Sequence, residues 1–258
     1  MAARRVFITG ASSGIGAALA RAFARRVPGI ELGLFARRHD RLQALADSLP
    51  GAVCHCLPGD IVEAGAILAA ARAFTDRAGP PDIVVANAGI SAGTVTGIAG
   101  DAAVFTRIVQ TNLLALYDTF DAFLPTMQAR GSGTLVGIAS MAGLRGMPGA
   151  GAYSASKAGA IAYLESLRVE LADSPVRVVT IAPGFIRTPM TQANPWPMPF
   201  LMDADAFAER ALDGIEHGRS WQVIPWPMGV VARVLPLLPN PLFDRLFKRA
   251  RRKPRTPA

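Results

Sequence analysis

The sequence predicts an α/β fold: a doubly wound parallel sheet between two layers of helices, in three layers and a single domain. Three observations predict it. Short apolar runs alternate with helical patterns along most of the chain. The apolar runs are nearly continuous rather than alternating, as strands buried on both faces require. A glycine-rich turn joins the first apolar run to the first helical pattern.

The elements follow in order. Strand 5–9 ends in TGASSGIG, and a helix is expected over 15–27. Strand 30–35 runs through ARRHD into helix 39–49, and strand 52–57 carries CHC ahead of helix 62–78. Strand 82–86 ends in NAG before a long helical pattern at 101–129. Strand 133–139 ends at Ser140, and helix 152–173 opens with AYSASKAG. Strand 176–181 leads to PGFIRT, after which helix 203–217 and strand 220–224 complete the alternation. Parallel neighbours need crossovers, and right-handed crossovers place helices on both faces, which is the Rossmann arrangement. Residues 1–225 are read as this domain, with a segment over the substrate at about 189–217. Residues 226–258 are read as an apolar and basic extension.

A length of 258 residues with 51% hydrophobic and 18% charged residues suits one core-forming domain and argues against disorder. The net charge of +8 is concentrated at one end. Seven bases and no acids lie from Arg245 onward, and taking those seven away leaves +1 for the remainder. A nearly neutral body disfavours nucleic acid as a partner. The tail is expected to be solvated, to dock on its own or a neighbouring subunit, or to make peripheral contact with an anionic membrane. Cys54 and Cys56 flank His55, but strand alternation turns the imidazole away from both sulfurs, so no metal site is expected and the thiols are read as buried and reduced. An apolar strand pattern begins almost at the N-terminus, leaving no room for a signal peptide. Arg233 and four prolines interrupt the apolar stretch WQVIPWPMGVVARVLPLLP, so no spanning helix is expected and a cytoplasmic location is.

Four groups of residues carry chemistry. In TGASSGIG, Gly10, Gly14 and Gly16 let the backbone turn tightly and approach a pyrophosphate at a helix N-terminus. At the end of the second strand Ala36 occupies the place of the acid that bonds a ribose 2′-hydroxyl in NAD enzymes, and Arg37 and Arg38 follow it. A guanidinium meets a 2′-phosphate with charge-assisted bonds, so NADP(H) is the expected cofactor. GDI, with Asp60 and Ile61, and NAG, with Asn87, Ala88 and Gly89, stand at the carboxyl edge of the sheet where ligands bind. Tyr153 and Lys157 lie four apart on one helix face. A nearby ammonium favours the phenolate, bringing a group of ordinary pKa about 10 towards useful proton transfer. Ser140 at a strand end can donate to a carbonyl oxygen, and Asn112 is a polar residue among apolar helical neighbours.

Together Asn112, Ser140, Tyr153 and Lys157 resemble the catalytic tetrad of the short-chain dehydrogenase/reductase family. TGASSGIG resembles its cofactor fingerprint, with Ser12, Ser13 and Ile15 on the cofactor loop. The resemblance spans about residues 4–190. It implies that Asp60 contacts the adenine ring, that Asn87, Ala88 and Gly89 form a cofactor-side turn, and that Pro183, Ile186 and Thr188 line the nicotinamide end. NADP-dependent members often carry a base where Ser13 stands. By resemblance Tyr153 protonates a carbonyl oxygen after hydride delivery and Ser140 orients that oxygen. Lys157 lowers the Tyr153 pKa and holds the nicotinamide ribose, while Asn112 holds a water that relays protons from Lys157. A homodimer or homotetramer is implied as well. After Thr188 the segment holds Met190, Trp196, Met198, Phe200, Leu201 and Met202, whose adaptable apolar surfaces suit a bulky apolar carbonyl substrate. An NAD-dependent alcohol dehydrogenase, an enzyme of polar substrates such as sugar derivatives, and a non-catalytic nucleotide sensor are the competing readings.

Overall fold

The computed structural model describes residues 4–192 and 194–255. The first half of the chain contributes β1 (Arg5–Thr9), α1 (Gly14–Arg26), β2 (Glu31–Ala36), α2 (His39–Asp47), β3 (Val53–Pro58), α3 (Ala66–Ala78) and β4 (Ile83–Ala86). It continues with α4 (Asp101–Val109), a π-helical turn (Gln110–Leu114), α5 (Ala115–Arg130), β5 (Gly133–Ile138) and α6 (Gly151–Glu170). The last part holds β6 (Val176–Pro183), β7 (Ile186–Arg187), α7 (Pro189–Gln192), β8 (Met202–Asp203), α8 (Ala204–Glu216), β9 (Trp221–Ile224), α9 (Trp226–Val234) and α10 (Asn240–Phe247).

Seven parallel strands stand in the order β3-β2-β1-β4-β5-β6-β9, the doubly wound arrangement the alternation predicted. The order runs outward from β1 in both directions, so a crevice opens beyond the carboxyl ends of β1 and β4. Alternation along β1 sends Val6 and Ile8 into one core with Leu19 and Phe23 of α1 and Phe207 and Leu212 of α8. It sends Phe7 into the other, with Phe74 of α3, Phe123 of α5 and Leu164 of α6. The Phe7 ring lies 4.7 Å from that of Phe123 and 5.7 Å from that of Phe74. Gly33 of β2 makes room for this stack, because a Cβ there would come within 2.6 Å of Phe7.

Three boundaries differ from the sequence pattern. The helix expected from residue 62 begins at Ala66, because Gly65 takes φ +77° and turns the chain before the helix starts. The single helix expected over 101–129 is α4 and α5 joined through the π-helical turn that contains Asn112. Of the segment 189–217, the C-terminal half is α8, which joins the sheet-flanking layer. Ion pairs Arg21–Asp205, Arg25–Glu209 and Arg26–Asp213, each 2.7 Å, tie it to α1.

Strand alternation sends the CHC side chains to opposite faces, as expected. Cys54 and Cys56 pack against the α1 side, while His55 meets Phe74 on the other face and pairs with Glu31 at 3.2 Å. The thiols are half-buried rather than buried, since β3 is an edge strand. Burial pushes the Cys54 thiol up to about 11, and Cys56 up as well.

Beyond β9 the extension folds back on its own chain. Arg145 donates to the carbonyls of Leu235 and Leu238 and to Asn240 Oδ1, and covers the Phe243 ring at 4.1 Å. Residues 251–255 then form a strap. The Arg251 guanidinium donates to the Pro195 carbonyl at 3.0 Å and Lys253 Nζ to the Met190 carbonyl at 3.2 Å. The Pro254 carbonyl accepts from Gly93 N at 2.7 Å, and Arg255 pairs with Asp101 at 2.6 Å. No helix among the described residues is long and apolar enough to cross a membrane.

Candidate active site

One cleft at the carboxyl edge gathers residues from six strand ends. Of the residues singled out in the sequence, Gly10, Ser12, Ser13, Gly14, Ile15, Arg37, Arg38, Asp60, Ile61, Asn87, Ala88 and Gly89 line it. Ser140, Tyr153, Lys157, Pro183, Ile186 and Thr188 line it too. Gly16 and Asn112 do not, and each has a structural reason.

The glycine loop is shaped by close approach. Gly10 and Gly14 adopt φ +68° and +56°, which favour glycine. A Cβ on Gly16 would stand 2.4 Å from the Gly10 carbonyl, so Gly16 sets α1 close beneath the loop rather than facing the cleft. Thr9 and Asn87 lock this loop to the end of β4. Thr9 Oγ1 accepts from the backbone N–H groups of Asn87 and Ala88 at 3.0 and 3.1 Å, and Asn87 Nδ2 donates to the Thr9 carbonyl at 2.9 Å. The α1 N-terminus thereby points its free amides into the crevice.

At the β2 end the cleft is cationic. Arg38 reaches across to Ser12 Oγ at 3.3 Å and Ser13 Oγ at 3.4 Å, so its guanidinium stands beside the position where the resemblance led us to look for a base. Partial burial and the neighbouring Arg41 and Arg37 cations push its pKa down. Ala36, at the end of β2, brings no carboxylate to this corner. Asp60 is held by Arg107 at 2.6 Å and by Val62 N at 3.3 Å; burial pushes its pKa up, but the Arg107 guanidinium and the Val62 amide hold it below the usual carboxylate range.

The other end holds Ser140, Tyr153 and Lys157. The N-terminal half of α6 is rich in small residues, which lets it pack closely while presenting Tyr153 and Lys157 on one side. Lys157 is 4% exposed and donates from Nζ to the Ile138 carbonyl at 2.7 Å. Burial holds its ammonium down at about 8. Ser140 caps the short turn Met141–Gly143, its Oγ accepting from Ala142 N at 3.2 Å. For Tyr153, burial pushes the phenol above its ordinary value and the Ser140 hydroxyl draws it back. The expected lowering by Lys157 is therefore not what this geometry gives: the ammonium is turned to the Ile138 carbonyl, and Ser140 supplies the opposing influence.

Asn112 lies behind the cleft at 1% exposure. Its Oδ1 accepts from Ile90 N at 2.8 Å, and its Nδ2 donates to the Ile90 carbonyl and to Ser156 Oγ, both at 3.0 Å. The side-chain amide is thus occupied by protein. Asn112 joins the loop after β4 to the turn of α6 between Tyr153 and Lys157, and π turns of this kind recur at functional sites. Around the mouth, Met190 lines the cleft, while Phe200 stands 56% exposed at φ +58° and Met202 packs against the core.

Several lining residues went unassigned in the sequence: Arg107, Thr111 and Thr191. Thr9 also went unassigned, although it opens the glycine motif. Thr191 Oγ1 donates to the Ile186 carbonyl at 2.6 Å and accepts from Thr188 N at 3.0 Å, fixing the PGFIRT segment over the cleft.

Comparison with known proteins gives the same picture. The family model described as short chain dehydrogenase matches residues 4–197. An uncharacterized oxidoreductase of Myxococcus xanthus is 42% identical, over 97% of this chain and 99% of its own. A short-chain dehydrogenase from Sphingobium yanoikuyae, solved in complex with NADPH, superposes with TM-score 0.78 at 30% identity over 96% of each chain. A short-chain dehydrogenase/reductase from Burkholderia phymatum, solved with NAD, has TM-score 0.81 over 99% of this chain and 98% of that one, at 22% identity, a likeness of fold.

Proposed function

This chain belongs to the short-chain dehydrogenase family of oxidoreductases, and from that premise we propose that it uses NADP(H) to interconvert a bulky apolar ketone or aldehyde and its alcohol, with reduction as the cellular direction. The observation that carries the cofactor preference is the corner formed by Ala36, Arg37 and Arg38: two guanidiniums and no carboxylate where a ribose 2′-substituent would lie. The donor set fits a dinucleotide phosphate, with α1 amides for the pyrophosphate, Arg37 and Arg38 for a 2′-phosphate, and Asp60 and Ile61 beside the adenine.

Bound NADP(H) supplies or accepts the hydride. The chain's residues handle the proton and the geometry. Tyr153 passes its phenolic proton to the substrate oxygen, and the raised pKa noted above keeps that proton in place at neutral pH until the oxygen develops charge. Ser140 donates to the same oxygen and orients it. Lys157, a cation beside Gly89 and Ile138, holds the ribose end. Asn112 acts as a positioning residue, fixing the loop after β4 against α6. Met190 and Ile90 give the mouth its apolar character. Location in the cytoplasm and assembly into a dimer or tetramer fit this reading.

The test is a panel of ketones and aldehydes of graded chain length, assayed for loss of reduced cofactor. NADPH is expected to support turnover that rises with apolar bulk, with NADH at least about tenfold poorer, the worth of one charge-assisted contact. Equal use of NADH, or turnover confined to sugars, would overturn the proposal.

A further inference from the structure

Hydride transfer engages the cleft and its lid; α9 and α10 lie outside both. On α9, Trp226, Val230 and Val234 are spaced four apart and so share one face, exposed at 76%, 53% and 50%. Leu237 follows at 80%, and on α10 Leu242 and Leu246, again four apart, stand exposed at 46% and 60%. These helices are not loosely attached core. Met228, Leu235 and Phe243 are buried beneath them, and Arg145 clamps the connection between them. Each helix therefore has one anchored side and a second apolar side turned to solvent. Exposed apolar surface of this extent marks an interaction site.

Charge decides what fits it. Arg233 of α9, Arg245 of α10 and Lys248 and Arg249 directly after it are exposed and make no ion pair among the described residues. After Glu216 the chain has a single acid, Asp244. A second copy of the same surface would set these cations against one another, whereas lipid phosphates would neutralise them. Tryptophan and long cationic side chains both suit a boundary between apolar and aqueous phases. The strap of residues 251–255 is turned towards Pro195, Met190 and Asp101, so the surface consists of α9, α10 and the bases that follow directly.

We propose that the α9–α10 face docks on an anionic lipid bilayer, its apolar residues entering the headgroup boundary and Arg233, Arg245, Lys248 and Arg249 facing the lipid phosphates. Docking is independent of the hydride-transfer reading, and a failure of either leaves the other standing.

Vesicle flotation of the full chain tests this, with phosphatidylcholine vesicles prepared with and without phosphatidylglycerol. Recovery with the anionic vesicles should exceed that with neutral ones by about tenfold or more and fall as salt is added. Trp226→Ser with Val230→Ser and Leu246→Ser should reduce recovery about tenfold, and so should Arg245→Gln with Lys248→Gln and Arg249→Gln. Circular dichroism and NADPH binding of both variants should match the parent, which separates lost docking from lost folding. Absent flotation, equal recovery from neutral and anionic vesicles, or full recovery of both variants would each overturn the proposal. So would light scattering showing a larger assembly in solution that the serine variant splits while the parent ignores vesicles, since the face would then join copies of this chain.

Discussion

Burial holds the Lys157 ammonium at about 8 because a single carbonyl, that of Ile138, replaces only part of the water it gave up. The sign of the consequence follows. Between about 8 and 10.5 the unfolded chain binds a proton here that the folded chain does not, so folding stability rises with pH across that window. The melting temperature of the parent minus that of Lys157→Met should therefore climb from pH 8 towards 10; a flat difference would contradict the burial. At the other end of the cleft, the proposed NADP(H) preference assigns the 2′-phosphate to Arg37 and Arg38. Replacing both by alanine should weaken NADPH binding by about tenfold to a hundredfold and leave NADH binding within about twofold, since a charge-assisted bond is worth about 1.5–3 kcal/mol. Fluorescence titration of each nucleotide checks it. Most of these residues were legible in the sequence because the motifs are local: Tyr153 and Lys157 share one helix face, and Gly10 to Gly16 one turn. Thr9 and Arg107 were not, because their partners, Asn87 and Asp60, come from elements far away in the chain. Asn112 was legible as a polar residue among apolar ones, but its two-sided pairing with Ile90 and Ser156 is a tertiary fact.

At the level of elements, each of the seven strands of the main sheet lies within a few residues of its expected span, because buried parallel strands are continuous apolar runs and announce themselves; the two-residue strands β7 and β8 are too short to do so. Helix interruptions are harder. The π turn between α4 and α5 answers to the inward amide of Asn112, which has no signature in hydrophobic period. The partners of the strap are hidden for a related reason: a run of bases reads as solvated or docked, and Asp101, Met190 and Pro195, which receive it, lie far away in the chain. The contacts at Met190 and Pro195 tie the strap to α7 and the chain that follows it, so removing residues 251–258 should make the segment from α7 to β8 cleave several-fold faster in limited proteolysis, as local opening becomes easier. NADPH affinity should remain as in the parent, because the strap touches no residue of the dinucleotide end. An unchanged cleavage rate would show that the strap does not restrain the segment.

Across the whole molecule, the two halves of the sheet divide the labour. Strands β1 to β3 bring the glycine loop, the arginine corner and Asp60, while β4 to β6 bring the Asn87 turn, Ser140 and the PGFIRT segment. The crevice between β1 and β4 joins them, which is why residues from one end of the chain to beyond its middle meet in one cleft. The claim on which the account rests is that Tyr153 passes the proton while the rest of the cleft binds and positions. Turnover of a bulky ketone with NADPH, measured for the parent and for Tyr153→Phe with NADPH binding titrated in both, tests it most directly. The expected result is a loss of about a hundredfold to ten-thousandfold in kcat, the usual worth of a general acid, with the NADPH dissociation constant unchanged within about twofold. A Tyr153→Phe enzyme that turns over at the parent's rate would contradict it.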